Sequence, residues 1–276
     1  LESGARITNA HCGILAGFGD PTNPGFVGFD DVNFWVGGSV VAHNAAFENN
    51  VYDVVMHPGG WPAVVPYDPL EMDNYQGLTR FKDCTFRTTR ELNDPALYPK
   101  AHVRLTDRDA SAFMGCTFVN ERTDIPSLTS AQLGHGVELF NSGFTVTTNL
   151  PYGTGTNTAP NVFRNLDHGV HSTTSNGNVY SIVSNCTFTD NVCAVFISGE
   201  AGLAITDNDI KLGRWSGITM DGDEDESFDD HQRGIFTTKS WGLAIQNNRL
   251  AASPDAPASA PTEGIVVGYT ADHNDV

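Results

Sequence analysis

Phe81-Lys82-Asp83-Cys84-Thr85-Phe86 is the stretch whose reading decides the fold. Two apolar residues flank a turn-forming residue and a small thiol. The same pattern of apolar residue, variable residue, Asn/Asp/Gly, Cys or Asn, variable residue and apolar residue returns along the chain. It reads from Phe47 to Tyr52 through Asn50, Phe113 to Phe118 through Cys116, Val183 to Phe188 through Cys186, Ile205 to Ile210 through Asn208, and Ile245 to Leu250 through Asn248. Six copies spread over two hundred residues mark a repeat architecture.

A second repeat interleaves with the first. A small residue precedes alternating apolar positions in Gly13-Ile14-Leu15, Ala101-His102-Val103-Arg104-Leu105, Gly136-Val137-Glu138-Leu139, Gly169-Val170-His171, Ala194-Val195-Phe196-Ile197, Gly217-Ile218-Thr219-Met220, Gly234-Ile235-Phe236 and Gly264-Ile265-Val266-Val267. Period-2 alternation inside each unit is a strand signal, and Asn/Asp/Gly between units is a turn signal. Successive starts from Gly136 onward lie 33, 25, 23, 17 and 30 residues apart. A unit of that size cannot bury its own apolar face. Coiling the chain so that each unit stacks about 4.8 Å above the last buries every inward residue in a continuous column, which is a parallel β-solenoid.

The two phrases, Phe-x-x-Cys-Thr-Phe and small-Ile/Val-x-apolar with Asn at the turn, resemble the right-handed parallel β-helix superfamily of pectate lyases, polygalacturonases and bacterial surface β-helix proteins. The resemblance covers nearly the whole chain and implies an all-β, right-handed parallel β-helix of roughly ten rungs with loop insertions. It speaks to fold and not to activity.

Composition agrees. The 276 residues contain 15 Lys+Arg against 33 Asp+Glu, a net charge of −18, with 28 glycines and few good helix formers. So acidic a surface repels phosphate backbones and anionic lipid, so nucleic acid is not an expected partner. No apolar run approaches the roughly 18 residues of a membrane-spanning helix. Proline-, glycine- or acid-rich excursions at 57–79, 141–161, 221–232 and 251–262 leave the coil, and rungs resume after each. Residues 1–276 are therefore expected to be one β-helix domain. The start at Leu1, without a signal segment, reads as a piece of a longer secreted polypeptide.

Five cysteines leave at least one unpaired, and none has zinc-ligand spacing. Cys84, Cys116 and Cys186 share a slot with Asn50, Asn208 and Asn248. They are expected to stack as packed free thiols in an inward ladder, with a Cys84–Cys116 bridge between adjacent rungs geometrically open.

If the apolar residue after each small residue points inward, the next points outward. This places Arg104, Glu138, His171, Phe196, Thr219 and Phe236 in one outer column, beside a strip of small residues from Gly136 to Gly234 that would floor a shallow groove. Arg104, Glu138 and His171 are the candidate catalytic residues, since β-helix lyases and hydrolases, as the resemblance implies, keep acid/base groups on such a face. The bland alternative is a solvated charged strand. Phe196 and Phe236, with Trp61 and Trp215 from the loops, are the candidate glycan contacts. Gly134-His135-Gly136 and Asp30-Asp31 match polygalacturonase fragments whose companion motifs are absent. Lys100 to Asp109 holds lyase residue types without a lyase motif.

Asp221, Asp223, Asp225, Asp229 and Asp230 form the densest acidic run. Acids at alternate positions could converge on Ca²⁺, but Glu226 stands where an EF-hand needs glycine and Gln232 where it needs Glu. Calcium and a solvated acidic loop both remain open. The expectation is thus a bacterial, secreted or cell-surface module with a structural or adhesive role and glycan-binding capacity. Its partners would be a polysaccharide or cell-surface glycan, other domains of a longer parent chain, or neighbouring surface proteins. The alternative is a polysaccharide lyase or glycoside hydrolase acting on an acidic polysaccharide. Calcium is the one cofactor this reading suggests.

Overall fold

The computed structural model describes residues 1, 4–16, 40–56, 79–108, 111–122, 132–148, 159–175, 179–213, 232–254 and 262–268. In it the chain forms a right-handed parallel β-helix with three faces, sheets of eight, eight and seven parallel strands among the described residues. One turn of the coil runs from Arg80–Lys82 in the third sheet, through Thr85–Thr88 in the first, to Ala101–Thr106 in the second. The next turn repeats it with Ser111–Met114, Thr117–Asn120 and His135–Phe140. Each strand pairs in register with the equivalent strand one turn on, as Thr85 to Thr117 and Phe86 to Phe118 do.

In-register pairing puts like on like. Phe47, Phe86, Phe118, Phe163 and Phe188 point inward from successive strands of the first sheet, with ring centroids 4.9, 4.6, 4.8 and 4.9 Å apart and planes within 10° of parallel. Phe81 and Phe113 stack likewise in the third sheet at 5.3 Å. Offset stacking at the strand spacing adds about 0.5–1.5 kcal/mol per pair to the burial of each ring.

The corners explain the Asn, Asp and Gly of both repeats. Asn44, Asp83, Asn185, Asp207, Asn247 and Gly115, between third and first sheets, all have positive φ. So do Asn9, Asn49, Asn165 and Asp190 between first and second. One left-handed residue turns the strand, and these residue types adopt that conformation at least cost.

Two expectations are corrected here. Asn50 does not share the Cys84 slot: Phe47 pairs with Phe86, not with Phe81, so its copy of the motif is displaced by one face and Asn50 lies at the other corner. There its Oδ1 accepts from the Ala10 N–H at 2.7 Å. The Cys slot instead holds Cys84, Cys116, Asn161, Cys186, Asn208 and Asn248. Asn161 accepts from the Cys116 N–H (2.8 Å) and Asn208 from the Cys186 N–H (3.0 Å).

The glycine strip does not floor an outer groove. A Cβ on Gly136 would lie 2.8 Å from Phe163 Cδ1, and one on Gly169 would lie 2.7 Å from two Phe188 ring carbons, so the strip faces the core. The neighbouring Val137 and Val170 are buried as well. Alternation is interrupted at the start of the strand, where two consecutive residues face inward and the paired register passes over the glycine. Cys193–Ser198 pairs directly with Gln232–Thr238, and Gly217 lies outside the described residues.

Candidate metal centre

The outer face of the second sheet carries the expected column in register. Arg104 pairs with Glu138, Glu138 with His171, His171 with Phe196 and Phe196 with Phe236. What these residues do there differs from the expectation. Arg104 and Glu138 grip each other as a bidentate ion pair, Nε to Oε2 at 2.6 Å and Nη2 to Oε1 at 2.9 Å, with the guanidinium 4.8 Å over the Tyr52 ring. His171 stands one rung on and turns to other histidines. Phe236 was expected on the outer column as a candidate glycan contact, either covered by a loop or offered to a ligand. It is 1% exposed, with the Arg233 guanidinium 5.1 Å above its ring. Phe196 is partly exposed and meets His171 edge-on at 4.8 Å. Thr219, Trp61, Trp215 and the acidic run of Asp221, Asp223, Asp225, Asp229 and Asp230 lie outside the described residues.

The column beside it holds what sequence reasoning missed. His135 and His168 open the strands His135–Phe140 and His168–Thr173, two residues before the paired Val137 and Val170. Stacking therefore brings them together, with centroids 5.0 Å apart. His171, three residues after His168 on the same strand, lies 4.8 Å from His168 and 5.0 Å from His135. One ring nitrogen from each of the three falls within 4.8 Å of the others. The signal was present: histidine precedes the glycine in both Gly136 and Gly169 units, and those glycines align the rungs.

Asp167 closes the cluster from the corner. Its Oδ2 is 3.2 Å from His168 Nδ1 and 3.8 Å from His135 Nδ1. Burial works against its charge, yet His168 and His135 hold its carboxyl below the ordinary carboxylate range. Burial pushes the His171 imidazole well below its usual pKa, and His168, His135 and Arg104 add to the effect. His171 is thus neutral at pH 7 with a lone pair available, and its Nδ1 is buried with no hydrogen-bond partner among the described residues.

Three converging imidazoles, with a carboxylate beside two of them, suit a borderline transition metal such as copper. They do not suit a hard cation that wants six to eight oxygens. The donor set fits copper. A family model described as "Periplasmic copper-binding protein (NosD)" matches residues 135–274, a stretch that contains all three histidines. No curated protein and no solved structure matches the chain. The family description names copper, which overturns the expectation of calcium.

Proposed function

We propose, on the premise that this chain belongs to the family of periplasmic copper-binding proteins (NosD), that it is a periplasmic β-helix module that holds a copper ion with His135, His168 and His171. The convergence of three imidazole nitrogens within 4.8 Å carries the reading. The family description supports a location outside the cytoplasm. Among the described residues no helix is long and apolar enough to cross a membrane.

Each residue has a part in it. Asp167 Oδ2 lies 3.2 Å from His168 Nδ1, so the carboxylate stands behind that ring, on the side where carboxylates behind metal-bound histidines commonly fix ring orientation. His135 is held over His168 by strand register. Phe196, edge-on to His171, covers one side of the cluster and limits water there. Bound copper supplies a soft, redox-active ion that one protein can hand to another. An adhesive or glycan-binding role for this face has one observation behind it, the partly exposed Phe196 ring, and that ring packs first against His171.

The test is copper titration of the full chain, Cu(I) by chelator competition and Cu(II) by electron paramagnetic resonance. The expected result is one ion per chain, with nitrogen hyperfine structure that His171→Asn and His168→Asn weaken while the far-ultraviolet dichroism stays wild-type. Equal copper binding by the wild type and by a triple His→Asn variant would overturn the proposal.

A further inference from the structure

The five cysteines are free thiols in the structure, but one pair differs from the rest. Cys84 and Cys116 occupy the same corner on adjacent turns. The strands before the corner pair in register, Lys82 with Met114, and so do the strands after it, Thr85 with Thr117. The corner itself is bonded across, the Thr117 N–H donating to the Cys84 carbonyl at 2.9 Å. Cys116 Sγ reaches down to the Phe81 carbonyl of the lower turn at 3.4 Å. Two Cα atoms stacked at the strand spacing of about 4.8 Å fall inside the roughly 4.4–6.8 Å window of disulfides. No other thiol has such a neighbour: Cys186 lies between Asn161 and Asn208, Cys193 between His168 and Arg233, and Cys12 beside Tyr52.

We propose that Cys84 and Cys116 are joined in a cross-rung disulfide by exchange with a dithiol-disulfide oxidant protein while the coil closes. Both sulfurs are buried in the finished coil, so exchange precedes burial. The Cys84 thiolate attacks one sulfur of the oxidant's disulfide. That S–S bond breaks, and the oxidant's other sulfur leaves as a thiolate. Cys116, losing its proton to solvent, then attacks Cys84 Sγ and expels the first oxidant sulfur. The two cysteines lose two electrons and two protons, and the oxidant is reduced to its dithiol. The compartment in the family's description is one in which such bonds form and persist.

The experiment compares the full chain exported to an oxidising periplasm with the same chain made in a reducing cytosol. Thiols are alkylated before and after reduction and mapped by peptide mass. The expected exported protein has three free thiols and one linked peptide containing Cys84 and Cys116, while the cytosolic protein has five free thiols. Reductant should lower the exported protein's melting temperature by roughly 5–10 °C and leave a Cys84→Ser/Cys116→Ser variant unmoved. Five free thiols in the exported protein, or a bridge that includes Cys12, Cys186 or Cys193, would overturn the proposal. Copper content does not enter the measurement, so it stands or falls apart from the histidine site.

Discussion

Replacing Gly169 by alanine separates an inward glycine strip from an outward one. A Cβ there would lie 2.6 Å from the Ala194 carbonyl oxygen and 2.7 Å from Phe188 Cδ1 and Cε1. The carbonyl belongs to a paired strand, and Phe188 is stacked 4.9 Å from Phe163, so neither can withdraw without loosening a ladder. Overpacking of this kind costs about 1–3 kcal/mol, and with two rigid obstacles the upper half of that range applies. For a chain of this length, about 2–3 kcal/mol corresponds to a fall of roughly 5–10 °C in melting temperature. Gly264 is the internal control: a Cβ there meets only Leu250 Cδ2, at 3.4 Å, so Gly264→Ala should move the melt by no more than about 2 °C. Differential scanning calorimetry of the two variants against wild type reads both. If the strip faced solvent, both changes would be neutral or stabilising by about 0.4–1 kcal/mol through the unfolded chain. A Gly169→Ala melt equal to that of Gly264→Ala refutes the inward assignment.

Other perturbations test other links. Phe118→Ala removes the ring stacked between Phe86 and Phe163 and should cost about 3–5 kcal/mol; chemical denaturation showing under 1 kcal/mol would contradict a rigid ladder. Asp167→Asn should weaken copper binding roughly 10–100-fold while leaving one ion per chain, as read by chelator competition. Despite the opposing effect of burial, Arg6 and Arg87 hold the Glu48 carboxyl below its ordinary value of 4.5. Its contribution is therefore present above that pH and lost as pH falls through the lower folded value; melts from pH 6 to pH 3 should fall more steeply for wild type than for Glu48→Gln. Glu200 is the opposite case: burial raises its carboxyl above 4.5 even though the Ser172 hydroxyl donates to it. Its charged form costs stability as pH rises through the raised value, so Glu200→Gln should gain on wild type between pH 4 and pH 8.

The fold was legible because a single phrase crosses a corner. Phe81 ends one face, Asp83 turns, Cys84 fills the corner and Phe86 begins the next face. The same economy misled at Phe47, because both kinds of corner use Asn and a local pattern cannot say which is being turned. The outer column from Arg104 to Phe236 followed from strand alternation, which holds along straight strands. It failed two residues earlier, at Gly136 and Gly169, where each glycine and the valine after it face inward together. The histidine cluster was hidden for a related reason. His135 and His168 sit just outside the repeated phrase, and their proximity depends on stacking between turns rather than on spacing within one. Charge and motif reasoning led instead to the acidic run at Asp221 to Asp230, whose residue types belong to a different metal chemistry.

In-register stacking acts as a ruler that ignores contour length. His135 and His168 are neighbours because they occupy equivalent points on successive turns, whatever number of residues the chain spends between Thr148 and Ala159. Segments between strands are thereby free to lengthen, shorten or change composition without altering the distance between the imidazoles. A fold built this way can vary its loops widely while side chains on stacked strands keep their separation, and distant relatives are best compared turn by turn, column against column, rather than by linear alignment.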